Sequence, residues 1–339
     1  MKRTEKHKKS HKLPQLNNGQ GLAHGLETWL NNVKHVLKKM LKFSLMHKNR
    51  PKIAINRAEI LKNWVIPVQI EQSSTKPVIT WLGHATFLVQ INGFNILTDP
   101  SFFEISMLLP RLTPFPMNPK DLPKIDVVLV SHNHPDHLNS QSVRMLKKHG
   151  HNPIILTPQG TGRWFKWRNI NNVHEKSWWQ AHTINPTTSH SQTPINFTFL
   201  PAHHWSGRKI IDTNLTLWGS WMIEHENFKI YFTGDSAYGQ HFSQIGQKYG
   251  NIDVALMPIA PNTPEHLVID SHVNTHESIQ AFGELNAQNF IPMHWGTFPF
   301  EHHSFDEPVS RLYAVWNEQQ EKLINKKLHV LKIGQSQTF

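Results

Sequence analysis

The sequence repeats itself, and the repeat limits the folds open to it. ATFLVQINGFNILTDPS, from Ala85, resembles GSWMIEHENFKIYFTGDSA, from Gly219, allowing for small gaps. Each copy is followed by a similar apolar run, IDVVLVSH from Ile125 and IDVALMPI from Ile252. In the first copy, β-type runs over Val78–Ile91 and Phe94–Thr98 flank Asn92-Gly93, the dipeptide of tight hairpins. Ile125–Val130 reads as a buried strand, and Gln141–His149 as a short helix after it. Two copies of a hairpin, an Asp-bearing loop and a buried strand suggest two related half-domains. Strands mixed with helices in each half favour a sheet-on-sheet core with helices outside. The repeat also puts Asp99 and Asp235 at equivalent loop positions.

Directly after the strand at Ile125 comes SHNHPDHL, with His132, His134, Asp136 and His137. So many ligand-type side chains on one strand-to-helix loop cannot all pack into a core. His132 and His134, two apart on an extended backbone, point the same way and can reach one ion. Asp136 and His137, past the turn, can reach a second. The chain has no Cys and 25 His. Thiol nucleophiles, thiolate zinc sites and iron–sulfur clusters are therefore excluded, and any metal must be held by His and Asp/Glu. Zn²⁺, which accepts imidazole and carboxylate, is the leading candidate.

HxHxDH after a hydrophobic strand resembles the metallo-β-lactamase superfamily, an α+β fold in which an αββα sandwich is built from two similar halves. The resemblance extends over nearly all of residues 64–335. WLGHATFLV, ILTDPSF, LPKIDVVLVSHNHPDHL, PAHHW, LWGSW, FTGDSAY and MHWGTF occur in that order. Together they are similar to the branch of N-acyl-phosphatidylethanolamine-hydrolysing phospholipases D and their bacterial relatives. The resemblance implies two Zn²⁺ per chain. His132, His134 and the histidine of PAHHW would take the first, and Asp136, His137 and His294 of MHWGTF the second. Asp235 of FTGDSAY would bridge them. The family pattern sets the PAHHW ligand immediately before Trp, which selects His204 over His203. His272 of SHVNTHES matches a histidine that the phospholipase has beside the phosphate, although its neighbour Ser271 departs from that pattern. His276, His302 and His303 have no such match and are expected to face solvent. Asp99 either orients a ligand histidine or caps its Asp-Pro loop, and His84 is either a partner of the site or a buried structural histidine.

The implied reaction is hydrolysis of N-acyl-phosphatidylethanolamine to phosphatidic acid and N-acylethanolamine, with Asp136 orienting the attacking water and His272 donating to the phosphate or leaving group. A zinc hydrolase of a soluble ester or lactone would share every ligand, and a metal-dependent nuclease is a further alternative. Charge bears on the choice. Residues 1–60 hold 14 Lys/Arg and 3 Asp/Glu, whereas residues 61–339 hold 21 of each. A neutral body gives a nucleic-acid strand little basic track. The excess falls on a run at Lys2–Lys12, read as disordered, and on an apolar stripe at Leu22, Leu26, Trp29, Leu30, Val33, Val36, Leu37, Met40 and Leu41 with lysines between. Such a helix suits either an anionic membrane surface or the body of the protein. The chain thus divides into a basic extension, 1–60, and a hydrolase domain, 61–339. It has no apolar run approaching the ~20 residues of a membrane span. The expected setting is cytoplasmic and peripheral to the membrane, with a phospholipid as the partner.

Overall fold

In a computed structural model, which describes Lys34 and residues 56–70, 76–107, 109–185, 193–263, 268–300 and 304–339, the repeat becomes two sheets. The first holds β1 (Val78–Gly83), β2 (Thr86–Ile91), β3 (Phe94–Thr98), β4 (Val127–Leu129), β5 (Ile154–Pro158) and β6 (Val173–Lys176), with β14 (Ser336–Thr338) at its edge. The second holds β7 (Ala181–Ile184), β8 (Ile195–Leu200), β9 (Ser220–His225), β10 (Phe228–Phe232), β11 (Ile252–Pro258), β12 (Ala287–Met293) and β13 (Lys327–Leu328). Their orders are β14-β1-β2-β3-β4-β5-β6 and β7-β8-β9-β10-β11-β12-β13. In both, the pairings are antiparallel as far as the third step and parallel thereafter. The two halves share one topology.

Alternation along the strands decides what faces what. Ile79, Trp81, Phe87, Val89, Ile96, Val127 and Leu129 meet Phe197, Phe199, Trp221, Ile223, Ile230 and Phe232 in the core between the sheets. Their neighbours Leu82, Leu88, Leu97, Val128 and Val130 turn outward, onto Val143 and Leu146 of α2 (Ser140–Lys148) and Phe165 of α3 (Gly162–Lys166). The second sheet is covered by α4 (His241–Tyr249), α5 (Thr275–Glu284) and α6 (Glu307–Glu318), through Ile245, Phe282 and Leu312. This is the αββα sandwich expected of the metallo-β-lactamase fold.

Two details depart from the sequence reading. The run Val78–Ile91 is not one strand but two, broken at Gly83 (φ +105°) and His84 (φ +54°), where the chain reverses. Apolar alternation continues through that turn, because His84 and Ala85 are themselves buried, so periodicity alone could not mark it. Helix α1 (Arg57–Trp64) crosses the expected boundary at residue 60. It buries Ile60, and Trp64 meets Trp295 edge-on at 5.0 Å. The remainder of the expected extension, Lys34 and Asn56 apart, lies outside the described residues, as do His302 and His303.

Candidate metal centre

β1, β3, β4, β8, β10 and β12 run the same way within their sheets, and each sends one site residue or more from its C-terminal end. His84 follows β1, Asp99 follows β3, the loop Ser131–Leu138 follows β4, His204 follows β8, Asp235 follows β10 and His294 follows β12. All lie at one rim of the sandwich. Close approach of the two halves there requires a glycine: a Cβ on Gly234 (φ +62°) would stand 2.6 Å from that of Ser131.

The seven side chains expected as ligands converge. His132, His134, His204 and Asp235 form one group whose donor atoms could hold an ion, and Asp136, His137 and His294 form a second together with His84. Asp235 stands between the groups. Its Oδ2 is 3.8 Å from His132 Nε2, 3.6 Å from His204 Nε2 and 3.2 Å from His137 Nε2, and its Oδ1 is 3.0 Å from His294 Nε2. His272 joins from the mouth, with Nδ1 3.8 Å from Asp235 Oδ2 and its ring against those of His204 and His294. His276 is exposed, as expected.

Hydrogen bonds on the outer nitrogens aim the imidazoles inward. His204 Nδ1 donates to Ser271 O at 2.7 Å and His294 Nδ1 to Ala260 O at 3.0 Å. His137 Nδ1 donates to Asp99 Oδ2 at 2.7 Å, and His132 Nδ1 donates to Ser131 Oγ at 2.9 Å. In each ring Nδ1 carries a proton, which leaves Nε2 as the atom that faces the centre, the arrangement by which proteins orient metal-binding histidines. His134 is reversed: its Nδ1 lies 2.7 Å from His132 Nε2 and 3.3 Å from His204 Nε2. Buried Nε2 of His137, Nε2 of His294 and Oδ1 of Asp235 have no hydrogen-bond partner. Acceptors that are buried, convergent and unpaired are costly unless a cation binds among them. The donor set therefore fits metal ions.

Protonation follows the same logic. Burial pushes His84 and His204 down to about 3 and His134 to about 4, and drives His132 and His272 well below the ordinary imidazole range. At neutral pH these rings are uncharged, as ligation requires. Burial also opposes ionisation of Asp136 and Asp235, but the histidines around them, His137 foremost, hold both carboxyls well below their usual range. His137 is the exception among the rings. Burial would lower it, yet Asp235 and Asp136 keep it well above the ordinary value. The position between those carboxylates asks for positive charge.

Asp99 and His84 now have definite surroundings. Asp99 is fully buried and accepts from Ser131 N at 2.7 Å, Ser131 Oγ at 2.6 Å and His137 Nδ1. It thus fixes His137 directly and His132 through Ser131, while holding its loop. His84 Nε2 donates to Asp136 Oδ2 at 3.0 Å, and its carbonyl accepts from His294 N at 3.2 Å and Trp81 Nε1 at 3.0 Å. Ser131 and Asn133 stood unread inside the SHNHPDHL motif, and Arg208 carried no signal beyond following His204 by four residues.

Comparison with known proteins agrees with this architecture. Residues 94–295 match the family described as the β-lactamase superfamily domain. Over 264 residues the chain is 35% identical to the mitochondrial N-acyl-phosphatidylethanolamine-hydrolyzing phospholipase D of Saccharomyces cerevisiae, a match covering 75% of this chain and 55% of that one. It is 34% identical to N-acyl-phosphatidylethanolamine-hydrolyzing phospholipase D 1 of Caenorhabditis elegans, covering 65% of this chain and 64% of that one. The match thus spans less than two thirds of either relative's length. Igni18, a metallo hydrolase of the archaeon Ignicoccus hospitalis, superposes with a TM-score of 0.59 at 19% identity, over 78% of this chain and 99% of that one. Among the described residues no helix is long and apolar enough to cross a membrane.

Proposed function

The chain belongs to the metallo-β-lactamase superfamily of metal-dependent hydrolases, and from that membership we propose that it is a dinuclear zinc phosphodiesterase of phospholipase D type, acting on N-acyl-phosphatidylethanolamine. The observation that carries this reading is Asp235, a carboxylate with imidazole nitrogens of both groups within 3.0–3.8 Å of its two oxygens. One bridging carboxylate between two such groups is what a pair of ions sharing a substrate oxygen needs. Likeness to two phospholipases D that hydrolyse this lipid supports the choice of substrate.

His132, His134 and His204 would hold one Zn²⁺; Asp136, His137 and His294 the other; Asp235 would ligate both. Bound there, the ions would lower the pKa of a water molecule and offset charge on the phosphoryl oxygens. The protein's own contribution is orientation. Asp136, steadied by His84, presents a carboxylate oxygen to the incoming water. That water's oxygen bonds to phosphorus as the bond from phosphorus to the ethanolamine oxygen breaks. Phosphatidic acid and N-acylethanolamine leave, the alkoxide taking up the proton that the attacking water gives up. His272 stands at the mouth and is uncharged at neutral pH, so it donates a hydrogen bond to a phosphate oxygen rather than a proton to the leaving group.

Residues 1–60 supply the proposed contact with anionic membrane, by their charge and apolar stripe. Because α1 packs on the body, deletion of residues 1–55 is the appropriate variant, and it should lose salt-sensitive binding to phosphatidylglycerol vesicles while keeping the fold. The enzyme itself is tested by measuring metal content and offering N-acyl-phosphatidylethanolamine, a lactone and RNA to the same preparation. About two zincs per chain and release of phosphatidic acid are expected. Full metal loading with turnover of the lactone alone would replace the lipid reading with that of a soluble-ester hydrolase.

A further inference from the structure

The loop that carries His132, His134, Asp136 and His137 is tied to the loop that carries His204 by residues outside the ligand set. Arg208 Nη1 donates to Asn133 O at 2.9 Å and to Leu138 O at 2.7 Å, the second and last residues of the HNHPDHL segment. Its Nη2 is 3.4 Å from Ser140 Oγ at the start of α2. One residue earlier, Gly207 N donates to Asn133 Oδ1 at 2.7 Å. Arg208's own backbone is fixed in turn, since Arg208 N and Lys209 N both donate to Asp212 Oδ1 at 2.7 Å.

On its other side the guanidinium lies 5.2 Å from the Trp164 ring, over which Arg168 also lies at 3.7 Å. Arg168 Nη1 donates to Trp164 O at 2.8 Å, so the stack is anchored to α3. Burial pushes the Arg208 guanidinium down to about 10, which leaves it charged at neutral pH. A cation placed beside a metal centre works against binding the metal by charge alone. Nor do its hydrogen bonds go chiefly to a carboxylate that would neutralise it; they go to main-chain carbonyls. What Arg208 gains from this position is geometry, because a planar fork can hold two carbonyls at a fixed separation where a lysine ammonium cannot.

We propose that Arg208 is a positioning residue that locks the HNHPDHL loop against the His204 loop, so that His132, His134 and His204 meet at one point before any ion arrives. The inference rests on reading the cluster as a metal centre. The HNHPDHL loop has no regular secondary structure of its own to impose that geometry, and the His204 loop has only the short 3₁₀ turn Ile210–Asp212, beyond Arg208. Without the lock, a metal ion must order the loops as it binds, and affinity falls. Removal of partners that orient metal ligands typically weakens metal binding 10–100-fold.

The full-length protein with Arg208→Ala, with Arg208→Lys, and unchanged should be compared for zinc dissociation constants by chelator competition, and for melting temperature with and without zinc. Arg208→Ala is expected to bind zinc about 10–100-fold more weakly than the unchanged protein. Its zinc-dependent rise in melting temperature should shrink more than its metal-free value falls. Millimolar guanidinium, but not methylammonium, should recover part of the affinity. Arg208→Lys should fall between, and it decides the matter if the alanine variant does not fold. Unchanged zinc affinity in Arg208→Ala would overturn the inference. So would a loss confined to the metal-free melting temperature with no rescue by guanidinium, which would make Arg208 a stabilising contact only. Absence of zinc binding in the unchanged protein would instead remove the metal reading itself, and the inference with it.

Discussion

The two halves of the sandwich build the same loop and use it differently. Asp99 and Asp235 both follow the second strand of the repeated hairpin, at the C-terminal end of a strand that pairs in parallel with the next. In the first half the carboxylate turns away from the centre, accepting three hydrogen bonds from Ser131 and His137. In the second half it turns into the centre and accepts no hydrogen bond on Oδ1. Asp99 is a carboxylate satisfied by donors and Asp235 one left for a cation. Two halves of one topology thus place one aspartate behind the site and one at its centre, and what separates them is the partners around them.

The largest expected effect breaks the second of these. Asp235→Asn keeps the volume but removes the charge shared by both groups of histidines. Metal content after dialysis should fall from about two ions per chain to one or none, and turnover by a factor of about 10³ or more, the scale expected when a preorganised electrostatic group is lost. Retention of two ions would mean that Asp235 does not bridge, and its resemblance to Asp99 would then extend to function.

Asp99→Asn should be the milder change. An amide can still accept from Ser131, but it no longer offers His137 a charged acceptor, and the ring loses what holds its proton on Nδ1. Metal affinity should weaken about 10–100-fold without loss of stoichiometry at saturating zinc. Since Asp99 reaches His132 through Ser131 as well, both ions should weaken, which titration against a chelator can resolve. Loss of only one ion would restrict Asp99 to His137. His84→Phe belongs beside it: the hydrogen bond to Asp136 goes while ring volume stays, and turnover should fall further than metal content does.

Much of this contrast was legible in the sequence. The repeat placed both aspartates, the β-type apolar runs placed the strands, and SHNHPDHL announced four of the side chains that converge at the rim. The direction in which Asp99 points was not legible, because it depends on Ser131 and His137, 32 and 38 residues further along the chain. Backbone strain was hidden too. His84 (φ +54°), Asp99 (φ +31°) and His294 (φ +67°) adopt a conformation that non-glycine residues rarely take and that costs of order 1–3 kcal/mol each. No pattern of polar and apolar residues records such a cost. The surrounding hydrogen bonds impose it, and they join residues remote in sequence: His84 N donates to Thr297 Oγ1 at 2.7 Å, 213 residues along the chain.

The smallest predicted effect returns to a place where the halves agree. In IDVVLV, Asp126 Oδ2 accepts from Asn95 N of β3 at 2.9 Å; in IDVALM, Asp253 Oδ2 accepts from Lys229 N of β10 at 2.8 Å. Each carboxylate caps the N–H at the start of the neighbouring parallel strand, and each is partly buried, at the end of its sheet opposite to the metal centre. Replacement by alanine leaves that N–H without its acceptor, though within reach of water. Asp126→Ala and Asp253→Ala should therefore each cost about 1 kcal/mol, the net worth of one hydrogen bond of this kind. Urea unfolding of the metal-loaded protein measures both. The two losses should agree within about 0.5 kcal/mol and add in the double variant, since the sites are distant and share no partner. Zinc stoichiometry should not move in either. A marked inequality would show that the halves have diverged in their frames as well as at their aspartates, and a fall in zinc content would show that strand register at one end of the sandwich is felt at the other.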